Sequence, residues 1–186
     1  MNVQPHVRMD KPAFLAWADG REGRCELVAG RVVMMVGASK AHGLITGNLF
    51  TALRMRADRT RWSVLADFGV DVGPDTLRYP DIILDPVGGD LNSFTTTSPV
   101  LVAEVLSPST TAIDLGDKAA EYLRLPSLVA YVVLAQDEPK AWVWVRGPSG
   151  FPPGPQVIVG NNEAIRIADL GLDLPLSELY SGVGTA

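Results

Sequence analysis

Cysteine is nearly absent from this 186-residue chain. Cys25 stands alone, which excludes an internal disulfide and any zinc site built from several cysteines. It fits a reducing compartment and reads as a small strand residue rather than a reactive thiol. Histidine is almost as scarce: only His6 and His42 occur, so a His-rich metal centre is excluded as well. No run approaches the roughly 20 apolar residues that a membrane span requires. The opening MNVQPHVRMDKPAF lacks the apolar core of a secretion signal, so a cytoplasmic location without membrane contact is expected. An excess of positive charge is missing too. Lys and Arg number 16 against 21 Asp and Glu, a formal charge of -5, which argues against coating nucleic acid by bulk charge while allowing a local basic patch. There is no internal repeat, low-complexity block or zinc finger.

What the chain has is globular composition, 47% hydrophobic and 20% charged, and enough length for one domain with a full core. We expect a single domain over residues 1–186, with its core at about 10–145 and peripheral strands and a short terminal helix over 146–186. Lys11 to Asp19 carries Phe14, Leu15, Trp17 and Ala18 at helical spacing. The stretch CELVAGRVVMMVG (25–37) predicts a hairpin turning at Ala29-Gly30. Ser39 is a candidate N-cap for a helix running to about Ala57 on a stripe of Leu44, Ile45, Leu49, Leu53 and Met55. Residues 61–73 alternate as one half-buried strand with Val64, Ala66, Phe68, Val70 and Val72 on one face. RYPDIIL (78–84) and VLVAEVL (100–106) read as central strands buried on both faces. A second helix spans about Ala112 to Leu125 and stops before Pro126. Strands follow at 128–135, 140–146, Gln156 to Val159 and Ala164 to Ile167, then a helix near Leu176 to Tyr180. The order predicts an α/β or α+β domain, a mixed sheet flanked by helices.

Two acids interrupt these aliphatic runs. Glu104 sits inside LVAEVLSP, and Asp81 follows Pro80 in YPDIIL. A buried carboxylate costs several kcal/mol, on the order of the effective penalty per ion, unless a charge compensates it. Either acid alone is explained by capping a helix, pairing with a surface arginine or facing water. Together, each embedded in aliphatics, they point to a shared site at one edge of the sheet. Two such charges raise at least one pKa, and a hard divalent cation, Mg²⁺ or Mn²⁺, removes the conflict. The helix AIDLGDKAAEYLRL places Asp114, Lys118 and Tyr122 at every fourth residue, on one face. Because it starts soon after Glu104, Lys118 can reach a metal-bound water or a scissile phosphate and stabilise developing negative charge. Glu26, at the start of the hairpin, and His42, in the first turn of the long helix, complete the candidates. A lone histidine such as His42 is more often a structural hydrogen-bonding residue than a ligand.

The ordered set ELVAGRVV, His42, YPDIIL, LVAEVLSPST and DLGDKAAEYLRL resembles the Uma-two family of "putative restriction endonucleases", within the PD-(D/E)XK nuclease superfamily. The resemblance covers roughly residues 10 to 145. It implies a restriction-endonuclease-like core, with Asp81, Glu104 and the backbone carbonyl of Val105 binding Mg²⁺ and Glu26 helping to organise the metal. It also implies hydrolysis of a phosphodiester by a metal-activated water. The superfamily's usual lysine would stand two residues after Glu104, where this chain has Leu106. The family supplies it from the following helix, here as Lys118.

The leading expectation is therefore a Mg²⁺-dependent DNA endonuclease in which Asp81, Glu104 and Lys118 converge with Glu26 close by, and His42, Asp114 and Tyr122 serve as auxiliary groups. Two alternatives stand beside it: a nuclease fold kept as a binding module, and a metal-dependent phosphodiesterase acting on RNA or a small nucleotide. The densest basic stretch, with Arg54, Arg56, Arg59 and Arg61, could flank a DNA groove or simply be a solvated helix end. Trp142 and Trp144, on one strand face, are core or part of a subunit interface. A homodimer is expected by resemblance and by the frequency of two-fold assemblies.

Overall fold

Short aliphatic strands must cover both faces to stay dry, and this chain covers them with different elements on the two sides. The computed structural model describes residues 8–35, 37–107 and 111–184. His6 and residues 108–110 of the SPST stretch lie outside them. In chain order the strands are β1 (Cys25–Val28), β2 (Arg31–Met34), β3 (Trp62–Ala66), β4 (Gly69–Gly73), β5 (Thr76–Arg78), β6 (Ile82–Pro86) and β7 (Thr95–Thr96). They continue with β8 (Leu101–Val105), β9 (Ala130–Leu134), β10 (Lys140–Val145), β11 (Gln156–Val159), β12 (Ala164–Ile167) and β13 (Leu172–Pro175). The helices are α1 (Lys11–Ala18), α2 (Lys40–Arg56), a π-helix (Ile113–Lys118) running into α3 (Ala119–Tyr122), and α4 (Leu176–Leu179).

The larger sheet has the order β11-β10-β9-β8-β6-β3 and the smaller one β2-β1-β5-β4-β7, with β12-β13 as a separate hairpin. The β8–β9 pairing is parallel, joined by the π-helix and α3, whereas β6 runs antiparallel to β8. The fold is mixed α+β, sheets flanked by helices, as the sequence pattern predicts. Strict alternation along β6 and β8 sorts the core. Ile82, Leu84, Ala103 and Val105 pack with Ile45, Leu49 and Leu53 of α2. Ile83, Val102 and Leu106 face the other way, into a cluster with Tyr122, Leu128 and Tyr131. No helix among the described residues is long and apolar enough to cross a membrane.

Local chemistry sets the boundaries. Ser39 caps α2 by accepting a hydrogen bond from the His42 amide at 3.1 Å, and Asp10 caps α1 by accepting from the Ala13 amide at 2.8 Å. The β1–β2 hairpin turns through Ala29 (φ 48°) and Gly30 (φ 74°), the positive-φ pair of a type I′ turn.

Two expectations need correction. Residues 61–73 form two strands in different sheets, β3 and β4. Asp67 takes a left-handed conformation (φ 53°), which a short polar side chain tolerates, and its carboxylate pairs with Arg24. Val64 therefore belongs to the α2 side of the core and Val70 to the opposite cluster. The second helix opens as a π-helix rather than an α-helix. Trp144 is core, stacked on Tyr131 at 5.5 Å between ring centroids, while Trp142 on the same strand face is only half-buried.

Candidate active site

Asp81 immediately precedes β6. The register pairs Ile82 with Ala103, so one step further along the antiparallel ladder Asp81 stands across from Glu104. Pro80 fixes the approach of the chain at this point. Asp81 Oδ2 accepts a hydrogen bond from the Val105 amide at 2.8 Å. On the α2 side, His42 Nε2 lies 3.2 Å from the same oxygen. His42 is lifted above the ordinary histidine pKa, first by its hydrogen bond to Asp81; burial and Arg24 oppose the rise, and the Asp81 charge and the Val105 carbonyl add to it. The imidazole thus draws positive charge towards a carboxylate and a backbone carbonyl at once.

Glu104, across the ladder from Asp81, is 4% exposed. Its Oε1 accepts from Lys118 Nζ at 2.9 Å and from the Tyr122 hydroxyl at 3.2 Å. Lys118, itself buried, also lies 3.1 Å from Asp114 Oδ1 and 3.6 Å from Glu26 Oε1. The Asp114 contact is a charge contact without hydrogen-bond geometry, so Asp114 Oδ1 is buried with no hydrogen-bond partner. Desolvation pushes Glu104 up to about 8 against the pull of Lys118, and Asp81 and Asp114 push it the same way. For Lys118, burial alone would lower the pKa, but Glu104, Glu26 and Asp114 outweigh it and hold the ammonium well above the usual lysine value.

The π-helix is what delivers these groups. A π turn closes i→i+5 bonds, and the Asp114 carbonyl is held from outside the helix by the Tyr131 hydroxyl of β9 at 2.9 Å. Tyr131 rests in turn against Tyr122, 5.2 Å between ring centroids. Removing the hydroxyl in Tyr131→Phe strands a buried carbonyl, and we expect a loss of about 1–3 kcal/mol in urea unfolding. An unchanged midpoint would mean that the π turn needs no such anchor.

Sequence reasoning missed Arg78 and Glu121. Arg78, at the end of β5, donates from Nη1 to Glu26 Oε2 at 2.9 Å, and from Nε and Nη2 to the two oxygens of Glu121 at 2.7 and 3.0 Å. Glu26 Oε1 accepts in addition from the Tyr79 amide at 3.1 Å. A signal was available, since Arg78 adjoins YPDIIL and a buried arginine beside a strand is as anomalous as Glu104. The basic stretch ending α2 is not at the site. Arg54 lies twelve residues beyond His42, about 18 Å along a helix at 1.5 Å per residue. Arg56 in that stretch is committed to Glu178.

Four carboxylates (Glu26, Glu104, Asp114 and Glu121) therefore gather around two fixed cations, Arg78 and Lys118, with Asp81 near enough to Glu104 to raise its pKa. Among the described residues no three His, Cys, Asp or Glu side chains are spaced as a ready metal cage. The donor set consistent with a cation is two carboxylates, Asp81 and Glu104, with the Val105 carbonyl. All are hard oxygens of the kind that suits Mg²⁺ or Mn²⁺, with water completing the shell. The surplus of negative charge favours such an ion.

His42 gives a direct check on this geometry. An imidazole with a raised folded-state pKa contributes stability that is complete below the unfolded value of 6.5 and is lost as pH rises through the folded value. Metal-free wild type should lose more stability than His42→Gln on crossing that range, and the His42 ring resonances should titrate above 6.5. Titration at or below 6.5 would contradict the Asp81 contact.

The Uma2 family model, described as "Putative restriction endonuclease", matches residues 12–176, further towards the C-terminus than the motifs alone reach. Two uncharacterized proteins of Synechocystis are similar. One is 26% identical over 187 residues, covering 96% of this chain and 95% of the relative. The other is 29% identical over 118 residues, covering 61% and 67% respectively. The crystal structure of a "putative nuclease" from Anabaena variabilis superposes with a TM-score of 0.73 at 14% identity, over 93% of this chain and 98% of that one. It carries the same fold. With the family model spanning nearly its whole length, the chain belongs to the Uma2 family of restriction-endonuclease-like proteins.

Proposed function

We propose that this protein hydrolyses DNA phosphodiester bonds, with Asp81, Glu104 and the Val105 carbonyl holding Mg²⁺, for which Mn²⁺ can substitute. The observation that carries this reading is the reach of Lys118: from a helix, its ammonium arrives 2.9 Å from a strand carboxylate that stands across from Asp81. When bound, the metal would supply Lewis-acid charge to the phosphate and acidify a water. The remaining work falls to the chain's own residues. Lys118, kept protonated by Glu104, Glu26 and Asp114, is no proton acceptor. It places fixed positive charge where negative charge develops on the phosphate. Glu26, clamped by Arg78, holds Lys118 from the smaller sheet. His42 orients Asp81 by a hydrogen bond from the α2 side. Asp114 flanks Lys118, and Tyr122 fixes the second contact of Glu104. Arg24, exposed and close enough to His42 to influence its charge, is a candidate phosphate contact.

The test is nicking of supercoiled plasmid by wild type, Asp81→Asn and Lys118→Arg, with Mg²⁺ or Mn²⁺. Metal-dependent nicking that falls to background in both variants is the expected result. A folded wild type that nicks nothing with either metal overturns the proposal.

A further inference from the structure

Beside the carboxylate cluster lies a cavity of about 320 Å³ that the chemistry above does not use. Its lining includes Leu106, Thr111, Gln136, Asp137, Glu138 and Trp142. Leu106 is two residues past Glu104 on the same strand face, about 7 Å away at strand rise. Thr111 opens the helical segment that carries Lys118. The cavity therefore adjoins the place where a scissile phosphate would sit. It lies past the C-terminal ends of the parallel strands β8 and β9, a recurrent location for ligands in open sheets.

Its chemistry is not that of a phosphate pocket. Asp137 and Glu138 repel anions, and a nearby cation, Lys140, bonds Glu138 at 3.0 Å and lies 4.9 Å from the Trp142 ring centroid. What remains is an indole bordering the space, an apolar wall at Leu106, and the polar groups of Thr111 and Gln136. Gln136 is itself fixed by accepting a hydrogen bond from the Ser39 hydroxyl, which ties the cavity to the first turn of α2 and hence to His42. The volume is at the low end of the roughly 300–1,000 Å³ typical of ligand sites, suited to a single planar group rather than a length of chain.

Resting on the nuclease reading, we propose that this cavity receives one unpaired nucleobase of the substrate next to the scissile phosphate, stacked on Trp142. A base with an exocyclic amino group (adenine, cytosine or guanine, and not thymine) is favoured by the acidic pair. A base inside the cavity has left any helical stack, so the substrate is single-stranded or locally opened DNA.

The probe is a three-nucleotide single-stranded DNA with 2-aminopurine at its centre, whose fluorescence reports stacking. It is titrated into the full chain with Ca²⁺, with plasmid nicking measured separately. We expect quenching by wild type, binding weakened about tenfold or more in Trp142→Ala from loss of one stacked base, and binding within a few fold of wild type in Trp142→Phe, which keeps a ring. Adenosine and cytidine should compete better than thymidine, and inorganic phosphate should not compete. Equal binding by wild type and a folded Trp142→Ala, or equal competition by an abasic trinucleotide, overturns the proposal. Nicking that persists with no Trp142-dependent binding sinks the base site alone. Trp142-dependent binding without nicking keeps the base site and sinks the nuclease reading.

Discussion

Replacing Lys118 by methionine is expected to lower the unfolding free energy by about 3–5 kcal/mol at neutral pH, the usual result of removing one partner from a buried ion pair. Lys118 is 5% exposed, and its ammonium serves Glu104, Asp114 and Glu26 together. Methionine keeps most of the stem's packing, so the loss reports the stranded carboxylates and not a cavity. The pH dependence has a definite sign. Glu104 has a folded-state pKa raised from 4.5 to about 8 by burial, so between those values the folded state binds more protons than the unfolded one and stability falls as pH rises. Without Lys118 the Glu104 pKa rises further, so the fall continues above 8, and the difference between variant and wild type should widen as pH rises from neutral through that value. Urea unfolding across this range measures both effects. A pH-independent difference would mean that Lys118 stabilises through its stem alone.

Arg78→Ala is expected to cost a similar amount, about 3–5 kcal/mol, because Glu26 and Glu121 both lose their buried counter-charge. Arg78→Lys is the sharper test. It keeps the charge but has neither the planar fork that grips both Glu121 oxygens nor the spare arm for Glu26. About 1.5–3 kcal/mol of stability should still be lost, the scale of a hydrogen bond to a charged group. The second consequence is positional. Glu26 steadies Lys118, so the lysine variant should also nick DNA more slowly under conditions where it is fully folded. Unchanged stability in Arg78→Lys would reduce the network to simple charge balance.

The carboxylates Asp81 and Glu104 were legible because a charge inside an aliphatic strand has few explanations, and the D-x3-K-x3-Y spacing singled out Asp114, Lys118 and Tyr122. The kind of helix was not legible. Spacing of four suits an α-helix and fits a π-helix nearly as well, and the contact at the π turn is made by the Tyr131 hydroxyl, a residue reached only through the fold. Residues 61–73 misled for a related reason. Alternation survives across Asp67 in the sequence, whereas the left-handed backbone there sends the two halves into different sheets. Arg78 was not singled out within RYPDIIL, since its partners Glu26 and Glu121 come from distant parts of the chain. The short strands β5, β7 and β13 were missed because two to four residues carry too little periodicity to stand out.

Delivering the cation from a helix changes what the tip of β8 can be. A lysine two residues after Glu104 would have to carry its charge out along the strand end, keeping that corner wet. Here the ammonium comes from the following helix, both it and the carboxylate lie on buried residues, and Leu106 is released to be hydrocarbon. One side of the strand tip is thus charged and the next step along it is greasy. On the proposed reading, such a boundary would meet the phosphate with its charged side and the base with its hydrocarbon.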